Sequence, residues 1–359
     1  MSPITNNEKN SHTEAMQAGY SDALDISVVF ATRDRESQLN QTLDAYRGLN
    51  TEGLSWELIV VDNNSSDGTS RALASAQKDL PLTPLFVEQP GQNCARNEAL
   101  THVRGRLVVF TDDDALPHQD CLKSYLAAAD RWPNEAIFGA RIEPRFPPGT
   151  PAWIRSPDFH FASTAFARYQ PAEHECLVSR HPYGPSFAVR REALCEHLFP
   201  THLGPRQGSY AMGGEGHFLR RLADEGWGYV YVPSAYVEHV IRPEQVEPRW
   251  LVKRAHNKGR GQAHLPSRKR PRRVFWRGVS LRLWLATARA GFRYYALAPL
   301  VKPHVRANFG IQYELRRGEL QERLSQRSRG KATNRGSVPD DGARPSSDVK
   351  YRSSETSRF

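Results

Sequence analysis

Three adjacent aspartates, Asp112, Asp113 and Asp114, follow an apolar run at residues 107–110. Carboxylates at the end of a buried strand repel one another, and little water reaches them to screen that repulsion. A divalent cation at this point would reverse the local charge balance. Oxygen ligands suit Mn²⁺ or Mg²⁺, which take one or two protein carboxylates and complete their shell with substrate phosphates. The triplet therefore indicates a metal–phosphate site, with a solvated acidic turn as the alternative.

Two further polar residues follow predicted strands: Thr32 comes after the apolar run 26–30, and Asp62 comes after 58–61. Helical patterns separate these strands from one another and from the strand before Asp112. The β-α-β-α-β-α-β alternation predicts an α/β fold with a mostly parallel sheet and helices on both faces. Ligands of such sheets bind beyond the carboxyl ends of the strands. Thr32, Asp62 and Asp112 are therefore expected to meet in one crevice.

The composition of the chain narrows the classes of protein to which it could belong. The net charge is +10, and the positive charge is concentrated after Arg249. Such a distribution favours an appended basic surface over a protein that binds nucleic acid along its whole length. The four cysteines include no C-x-x-C pair, so we expect reduced thiols and no zinc site or disulfide framework. The N-terminus has no apolar core typical of a secretory signal, and we expect a cytoplasmic protein.

The two ends of the chain differ from its middle. Residues 1–24 and 325–359 are polar and are predicted to be disordered. Residues 263–324 form a basic, aromatic-rich region that predicts a C-terminal helical extension. No uncharged stretch there reaches the roughly 20 residues of a membrane span. Residues 274–301 instead suit an interfacial amphipathic helix, or a core helix whose arginines extend to solvent.

Several segments, in this order, resemble family 2 glycosyltransferases, which have the GT-A fold: residues 27–35, 57–69, 91–97, 111–114, 184–191 and 213–215, followed by His239. The segment 57–69 is a close match to the family's second strand and loop. Residues 91–97 match its G-x-x-x-A-R-N turn, and 111–114 its D-x-D metal motif. The resemblance covers residues 25–262. It implies a nucleotide-binding half at 25–115 and an acceptor half at 116–262.

The resemblance also implies roles for individual residues. Donor binding is expected from Thr32, Arg33, Asp34, Asp62, Arg96, Asp112 and Asp113. Asp62 would accept a hydrogen bond from the base, and Arg96 would lie over the nucleotide or the donor sugar. Mn²⁺ or Mg²⁺ is expected at Asp114, Asp112 and His239. The acceptor side is expected to include Gly184, Trp153 and His217.

Glu215 is the candidate catalytic base, because it follows two glycines at the predicted start of a helix. The N-terminus of a helix favours the ionised carboxylate. At this point the chain departs from the family pattern, since Gly216 stands where a second acidic residue is common. Three alternatives remain open: Glu215 is the base, His217 replaces the missing acid, or catalysis is impaired.

These observations predict a metal-dependent, inverting glycosyltransferase that moves a sugar from a nucleoside-diphosphate sugar, with a UDP-sugar favoured, to an acceptor hydroxyl. A sugar or lipid-linked acceptor in polysaccharide or glycolipid synthesis fits this prediction, as does peripheral association with an anionic surface at the inner face of the membrane. The alternative is a catalytically impaired nucleotide-sugar-binding or scaffold protein, motivated by Gly216. A nucleic-acid binder, suggested by the basic run 268–273, is disfavoured because no recognition motif accompanies it.

Overall fold

The computed structural model describes residues 23–156, 158–194, 197–206, 209–265, 275–276 and 279–335. Residues 26–111 form the predicted alternation of strands and helices: β1 Ile26–Thr32, α1 Glu36–Arg47, β2 Trp56–Asp62, α2 Thr69–Ala76, β3 Leu82–Phe86, α3 Gln92–Leu100 and β4 Leu107–Thr111. Every residue of β1 and β4 is buried. Such continuous burial is typical of strands covered by helices on both faces.

The following part of the chain is less regular and contains shorter elements: β5 Ala115–Pro117, α4 Cys121–Arg131, β6 Ile137–Arg145, α5 Ala152–Arg155, α6 Ala162–Ala165, β7 Cys176–Val178, β8 Ser186–Arg190, α7 Arg191–Leu194, β9 Gly204–Arg206, β10 Ser209–Ala211, α8 Gly214–Asp224 and β11 Tyr229–Val240. Strand β11 joins two extended runs of the sequence, and its register with β6 shifts between Val232 and Tyr236.

Nine of the described strands build one mixed sheet in the order β3-β2-β1-β4-β8-β6-β11-β5, with β7 also paired to β11. The short strands β9 and β10 pair only with each other, as do two strands of the C-terminal region. The longest pairings, β1 with β2 and β6 with β11, are parallel. Strand β8 is inserted antiparallel between β4 and β6. The α/β class with a mostly parallel sheet is therefore confirmed.

The hydrophobic core lies on both faces of this sheet. Val28 and Phe30 of β1 pack into one cluster, and Val29 and Ala31 pack into the other. This separation follows from the alternation of side chains along a strand. The two packed faces hold the sheet rigidly, which fixes the position of the polar residues at its edge.

The C-terminal elements are α9 Pro248–Gln262, β12 Phe275–Trp276, β13 Val279–Ser280, α10 Leu281–Phe292 and α11 Pro303–Arg335. Helices α9 and α11 approach closely because glycines meet at their contact: a Cβ at Gly259 would collide with the Leu315 carbonyl oxygen. His256 Nδ1 and Glu314 Oε2, 2.8 Å apart, also link the two helices. The predicted C-terminal helical extension is thus packed against the end of the α/β domain.

Helix α11 continues past the boundary at residue 324 that the sequence predicts, and ends at Arg335. Extending an existing helix costs far less free energy than starting one, so the polar residues 325–335 follow the packed turns before them. Among the described residues, no helix combines the length and the hydropathy needed to cross a bilayer. The disorder predicted for residues 1–22 and 336–359, and the basic run 268–273, lie outside the described residues.

Candidate active site

The carboxyl ends of β1, β2 and β4 meet at one edge of the sheet. Thr32 and Asp62 are partners in the parallel pairing of β1 with β2, and β4 lies on the other side of β1. The Thr32 hydroxyl donates a hydrogen bond to Asp113 Oδ2 at 2.9 Å. Asp62 is buried and accepts hydrogen bonds from the Ser65 amide at 2.9 Å and the Ser70 hydroxyl at 3.1 Å. Strand order therefore brings Thr32 against the acidic triplet and leaves Asp62 one strand away.

The aspartate triplet is paired with buried or half-buried arginines. Asp112 Oδ1 lies 2.8 Å from Arg96 Nη2. Arg35 Nη1 lies 2.6 Å from Asp113 Oδ1 and 3.1 Å from Asp114 Oδ2. Asp113 and Asp114 are both buried, so the alternative of a solvated acidic turn does not hold. The arginines offset part of the repulsion between the three carboxylates.

The environment moves the pKa values of neighbouring aspartates in opposite directions. Burial raises the pKa of Asp113 to about 6, because it outweighs the attraction of Arg35. Burial also acts on Asp114, but the charges of His239, Arg35 and Arg242 overcome it and lower the pKa of Asp114 to about 2. Asp114 is therefore ionised at neutral pH, as a metal ligand must be.

His239 reaches the triplet through strand pairing. Strand β5 pairs antiparallel with β11 and sets His239 opposite Ala115. His239 Nδ1 lies 2.8 Å from the Phe166 carbonyl oxygen, which can only accept, so Nδ1 carries the proton. Nε2 then faces Asp114 Oδ1 at 3.4 Å. Burial would lower the pKa of His239, but the charge of Asp114 outweighs burial and raises it, so the ring pairs with Asp114 as a cation. A histidine held through Nδ1 can offer Nε2 to a metal once Nε2 has given up its proton.

Asp114, His239 and Asp112 are the candidate ligands of a divalent cation. Among the described residues, no group of three or more His, Cys, Asp or Glu side chains is arranged to hold a metal. Mn²⁺ and Mg²⁺, however, are commonly bound through one or two protein ligands, with substrate oxygens completing the shell. Asp114 and His239 fit such a site, with Asp112 two residues away.

Glu215 lies in the first turn of α8, directly behind Gly213 and Gly214, as the sequence predicts. Its Oε1 is 2.9 Å from Arg96 Nη1. Burial would raise the pKa of Glu215, but the charge of Arg96 outweighs burial and lowers it. Arg96 is 0% exposed and bridges Glu215 to Asp112. Arg96 therefore lies between the two carboxylates and outside the lining of the cavities at this edge, whereas the resemblance implies a position over the nucleotide or the donor sugar.

Gly184 leaves open space in front of these two carboxylates. A Cβ at Gly184 would lie 3.1 Å from Glu215 Oε1 and 3.5 Å from Asp112 Oδ2. Any larger residue would occupy the volume where a reacting group could approach Glu215. The predicted acceptor-side role of Gly184 is thus consistent with its position.

The environment of Gly216 differs from the one that the sequence suggested. A Cβ at Gly216 would lie 2.9 Å from His181 Nε2, so the His181 ring fills the space that an acidic side chain would need. His217 turns away, and its Nε2 lies 3.4 Å from the His264 carbonyl oxygen. His217 does not line the cavity described next.

A cavity of 320 Å³ lies over the carboxyl ends of the strands and is adjoined by a second cavity of 300 Å³. The predicted site residues that line the larger cavity are Asp112, Asp113, Asp114, Gly184, Glu215 and His239. Thr32 and Arg33 line the smaller one, and both cavities share Arg35, Gln92 and Asp113. Trp153 lies outside both linings and packs against Phe159 with ring centroids 5.0 Å apart.

Asp34 lies at the mouth of the site on exposed backbone with a φ of 50°. Its Oδ1 accepts a hydrogen bond from the Ser66 amide at 2.7 Å, and this bond lowers the pKa of Asp34. Asp34 Oδ2 also lies 3.4 Å from Arg33 Nε. Asp34 thus connects the loop after β1 to the loop after β2.

The larger cavity contains polar residues that the sequence analysis did not assign to the site. They include Arg35, Gln92, His181, Arg242, Arg254 and Lys258. Arg35 and Gln92 lie inside the segments 27–35 and 91–97 that resemble the family, so the sequence could have indicated that they belong to the site. Arg254 and Lys258 are four residues apart on α9, and only the packing of that helix shows that both face the cavity.

Comparison with known proteins agrees with this arrangement. The family model described as glycosyl transferase family 2 matches residues 27–198. The chain is 26% identical to the succinoglycan biosynthesis protein ExoM of Rhizobium meliloti over 241 residues, 66% of this chain and 73% of that protein. It is 25% identical to the glycosyltransferase AglE of Haloferax volcanii over 271 residues, 72% of this chain and 79% of that protein.

Among solved structures, the chain is similar to the mannosyltransferase PcManGT from Pyrobaculum calidifontis, solved in complex with GDP-Man and Mn²⁺. The TM-score is 0.55 at 20% identity, and the match covers 89% of this chain and 97% of the other. At that identity the likeness is one of fold, and it supports the GT-A architecture that the sheet order displays.

Proposed function

We propose that the chain is an inverting, metal-dependent glycosyltransferase that carries a family 2 domain on a GT-A fold. In this proposal it transfers a sugar from a nucleoside-diphosphate sugar to an acceptor hydroxyl. The observation that carries the proposal is the cluster of Asp114, His239, Asp112 and Glu215 around one cavity at the carboxyl edge of the sheet.

The donor is assigned to the two adjoining cavities. The smaller cavity, lined by Thr32, Arg33 and Asp113, would hold the nucleoside. Asp34 and Asp62 lie outside this lining, and we propose that they contact the nucleoside from the loop after β1 and the end of β2. The diphosphate would lie where the cavities join. Arg35, shared by both linings, supplies positive charge there.

Asp114, His239 and Asp112 would hold Mn²⁺ or Mg²⁺ against the diphosphate. When bound, the cation would stabilise the negative charge that develops on the leaving nucleoside diphosphate. The residues of the chain prepare this position in advance: Phe166 fixes the ring of His239, and the cations around Asp114 keep its carboxylate ionised.

Glu215 would take the proton of the acceptor hydroxyl. The hydroxyl oxygen forms a bond to the anomeric carbon while the bond from that carbon to the diphosphate oxygen breaks, and the proton moves to Glu215. Arg96 holds the carboxylate ionised and fixed in orientation. The other carboxylates of the cavity lining lie together in the triplet at residues 112–114. One base and one displacement support an inverting reaction.

The acceptor is proposed to be a sugar or lipid-linked saccharide in polysaccharide or glycolipid synthesis, because the relatives include a succinoglycan biosynthesis protein. We retain a UDP-sugar as the favoured donor. We also propose that residues 25–262 form the catalytic unit and that the basic helical region after residue 262 supports it. Trp153 and His217 lie outside the cavity lining, so any acceptor contact by them would need a larger acceptor.

A catalytically impaired nucleotide-sugar-binding protein is the alternative, and the specific observation behind it is Gly216 with His181 packed against it. Both proposals predict donor binding. They differ in turnover, because only the enzyme releases nucleoside diphosphate from the donor.

We expect UDP or GDP, and the matching nucleotide sugar, to bind at least about tenfold more tightly with Mn²⁺ than without it. The reason is that Asp114 and His239 would hold a cation whose positive charge attracts the diphosphate. Calorimetric titration of the full chain with each nucleotide, with and without Mn²⁺, measures this ratio. Nucleotide affinity that is unchanged by a chelator would contradict the metal site, and absence of binding to every nucleotide would contradict the proposed function.

The exposed side of the C-terminal region, which we call the α10 face, carries large apolar side chains next to arginines. The exposed apolar side chains are Leu281, Leu285, Phe292, Tyr295, Leu297 and Leu300, and Arg282, Arg289 and Arg293 are exposed beside them. The surrounding residues 248–313 contain sixteen lysines and arginines and no aspartate or glutamate. A core helix would bury this apolar side, so the exposure favours the interfacial alternative. We propose that the α10 face docks on an anionic phospholipid surface, where a lipid-linked acceptor would be found.

We expect Phe292→Ser to weaken binding to phosphatidylglycerol vesicles in a sedimentation assay, and Arg289→Gln with Arg293→Gln to weaken it by about 1 kcal/mol per arginine. Phe86→Ser is the matched control, because Phe86 is 63% exposed and Phe292 is 64% exposed, but Phe86 lies on the edge strand β3. Equal loss of binding in the Phe86 and Phe292 variants would remove the proposed role of the α10 face.

A further inference from the structure

We propose that the acceptor saccharide itself carries a negative charge, a carboxylate or a phosphate, which Arg254 and Lys258 bind beside Glu215. This inference rests on the proposed function and names the substrate class of the same cavity. Whether the charged group is a carboxylate or a phosphate, the ligand is a sugar that bears an anionic group.

Arg254 and Lys258 face the cavity from α9, on the same side as the catalytic carboxylate. The Arg254 guanidinium lies over the Trp250 ring, 5.0 Å from its centroid. Its Nη1 lies 3.4 Å from the Tyr210 hydroxyl, and Trp250 and Tyr210 also line the cavity. An aromatic face beside a cation suits a sugar ring that bears an anionic group.

The positive charge on this side is not balanced by the described residues. Neither Arg254 nor Lys258 forms an ion pair with a described carboxylate. Burial lowers the pKa of Lys258, and the nearby Arg220, Arg254 and Arg180 lower it further. Arginines this close to a half-buried lysine are unfavourable unless an anion joins them.

The nearest negative charge on this side is already engaged. Lys258 is attracted to Glu215, but Glu215 is ion-paired with the buried Arg96 at 2.9 Å. Because residues 248–313 contain no aspartate or glutamate, α9 and α10 cannot supply another carboxylate. The glutamates of the neighbouring α11 are paired with other cations, Glu314 with His256, Glu319 with Arg323 and Glu322 with Arg260. A ligand is therefore the source that we infer for the compensating anion.

This cation pair is separate from the one that faces the donor. Arg35 and Arg242 lie beside the triplet, with Arg35 Nη1 3.1 Å and Arg242 Nη1 3.8 Å from Asp114 Oδ2. These two arginines suit the diphosphate of the donor. A second pair of cations on the acceptor side indicates that the acceptor brings a second anion into the complex of enzyme, donor and acceptor.

The test uses the full chain with its donor side filled by Mn²⁺ and whichever of UDP or GDP binds. Three probes are titrated by calorimetry: methyl β-D-glucoside, methyl β-D-glucuronide and the 6-phosphate of methyl β-D-glucoside. We expect at least one charged probe to bind at least about tenfold more tightly than the neutral glucoside, as hydrogen bonds to charged groups allow. Preference for the glucuronide identifies a carboxylate, and preference for the phosphate identifies a phosphate.

Lys258→Gln and Arg254→Gln should each abolish most of this preference. Lys253→Gln is the matched control, because Lys253 lies on the same helix but is exposed and outside the cavity lining. Equal affinity for all three probes, or a preference that persists in both cavity variants, overturns the inference. So does weaker nucleotide binding in those variants, since the cations would then belong to the donor. Failure of the proposed function is distinguishable, because then no nucleotide binds to the unaltered chain.

Discussion

Asp114→Asn is expected to lower kcat for sugar transfer by about 10²–10³-fold, the usual loss when one group that stabilises developing charge is removed. Asp114 is the ionised carboxylate of the triplet, with a pKa lowered to about 2. Asparagine keeps the shape of the side chain but removes the charge that would hold the cation against the diphosphate. The affinity for nucleotide should therefore also lose its dependence on Mn²⁺.

Asp113→Asn is the matched control for this prediction. Asp113 is buried in the same turn, but its Oδ2 accepts a hydrogen bond from the Thr32 hydroxyl and its Oδ1 one from Arg35 Nη1, so neither oxygen is free for a cation. We expect this variant to retain the Mn²⁺ dependence of nucleotide binding, with a loss confined to nucleotide affinity because Asp113 lines the donor cavity. Release of nucleoside diphosphate and calorimetric titration measure both effects. Retained Mn²⁺ dependence in the Asp114 variant would contradict the assignment of the metal to Asp114.

The parts of the site that the sequence predicts are those fixed by sheet periodicity. Thr32, Asp62 and Asp112 follow buried strands, and strands that alternate with helices must present their carboxyl ends at one edge. The resemblance implies His239 as a site residue. The structure places it inside β11, and the pairing of β5 with β11 brings it to the triplet. For Thr32, Asp62 and Asp112, the strand pattern of the sequence and the strand order of the sheet predict the same position in the fold.

The residues of the acceptor side were harder to predict from the sequence. It depends on how α9 packs against the sheet edge and on loops with no periodic pattern, so Arg254, Lys258 and His181 gave no local signal. His217 was weighed as a substitute for an acid because it is adjacent to Gly216 in sequence. One residue along a helix turns a side chain by about 100°, which is enough to point His217 away from the cavity.

For Arg96, the sequence predicts a role in the site but not the surroundings of the side chain. Its motif position predicted a site residue, but not that its side chain would be fully buried between Asp112 and Glu215. A buried cation between two carboxylates links the metal-side residue to the proposed base. Any change that moves Asp112 therefore also disturbs the orientation of Glu215, which a sequence motif cannot show.

Glu215→Gln is expected to lower kcat for transfer by about 10²–10⁴-fold, the contribution of a positioned general base. The amide oxygen of glutamine can still accept the hydrogen bond that Arg96 Nη1 donates at 2.9 Å. The fold and the affinity for nucleotide should therefore change little, and the loss should appear in the chemical step. Single-turnover transfer with saturating donor and Mn²⁺ separates that step from binding.

Two control variants distinguish a base from a charge that supports the helix. Glu225→Gln removes a carboxylate at the C-terminal end of the same helix α8 and should leave kcat unchanged. His217→Gln should also leave kcat unchanged, because His217 Nε2 faces the His264 carbonyl oxygen. If the His217 variant lost as much activity as the Glu215 variant, the histidine would be the base that replaces the missing acid. If the Glu215 variant kept full activity, proton removal would have to involve another group, and His181 would be the first to examine because it fills the space beside Gly216.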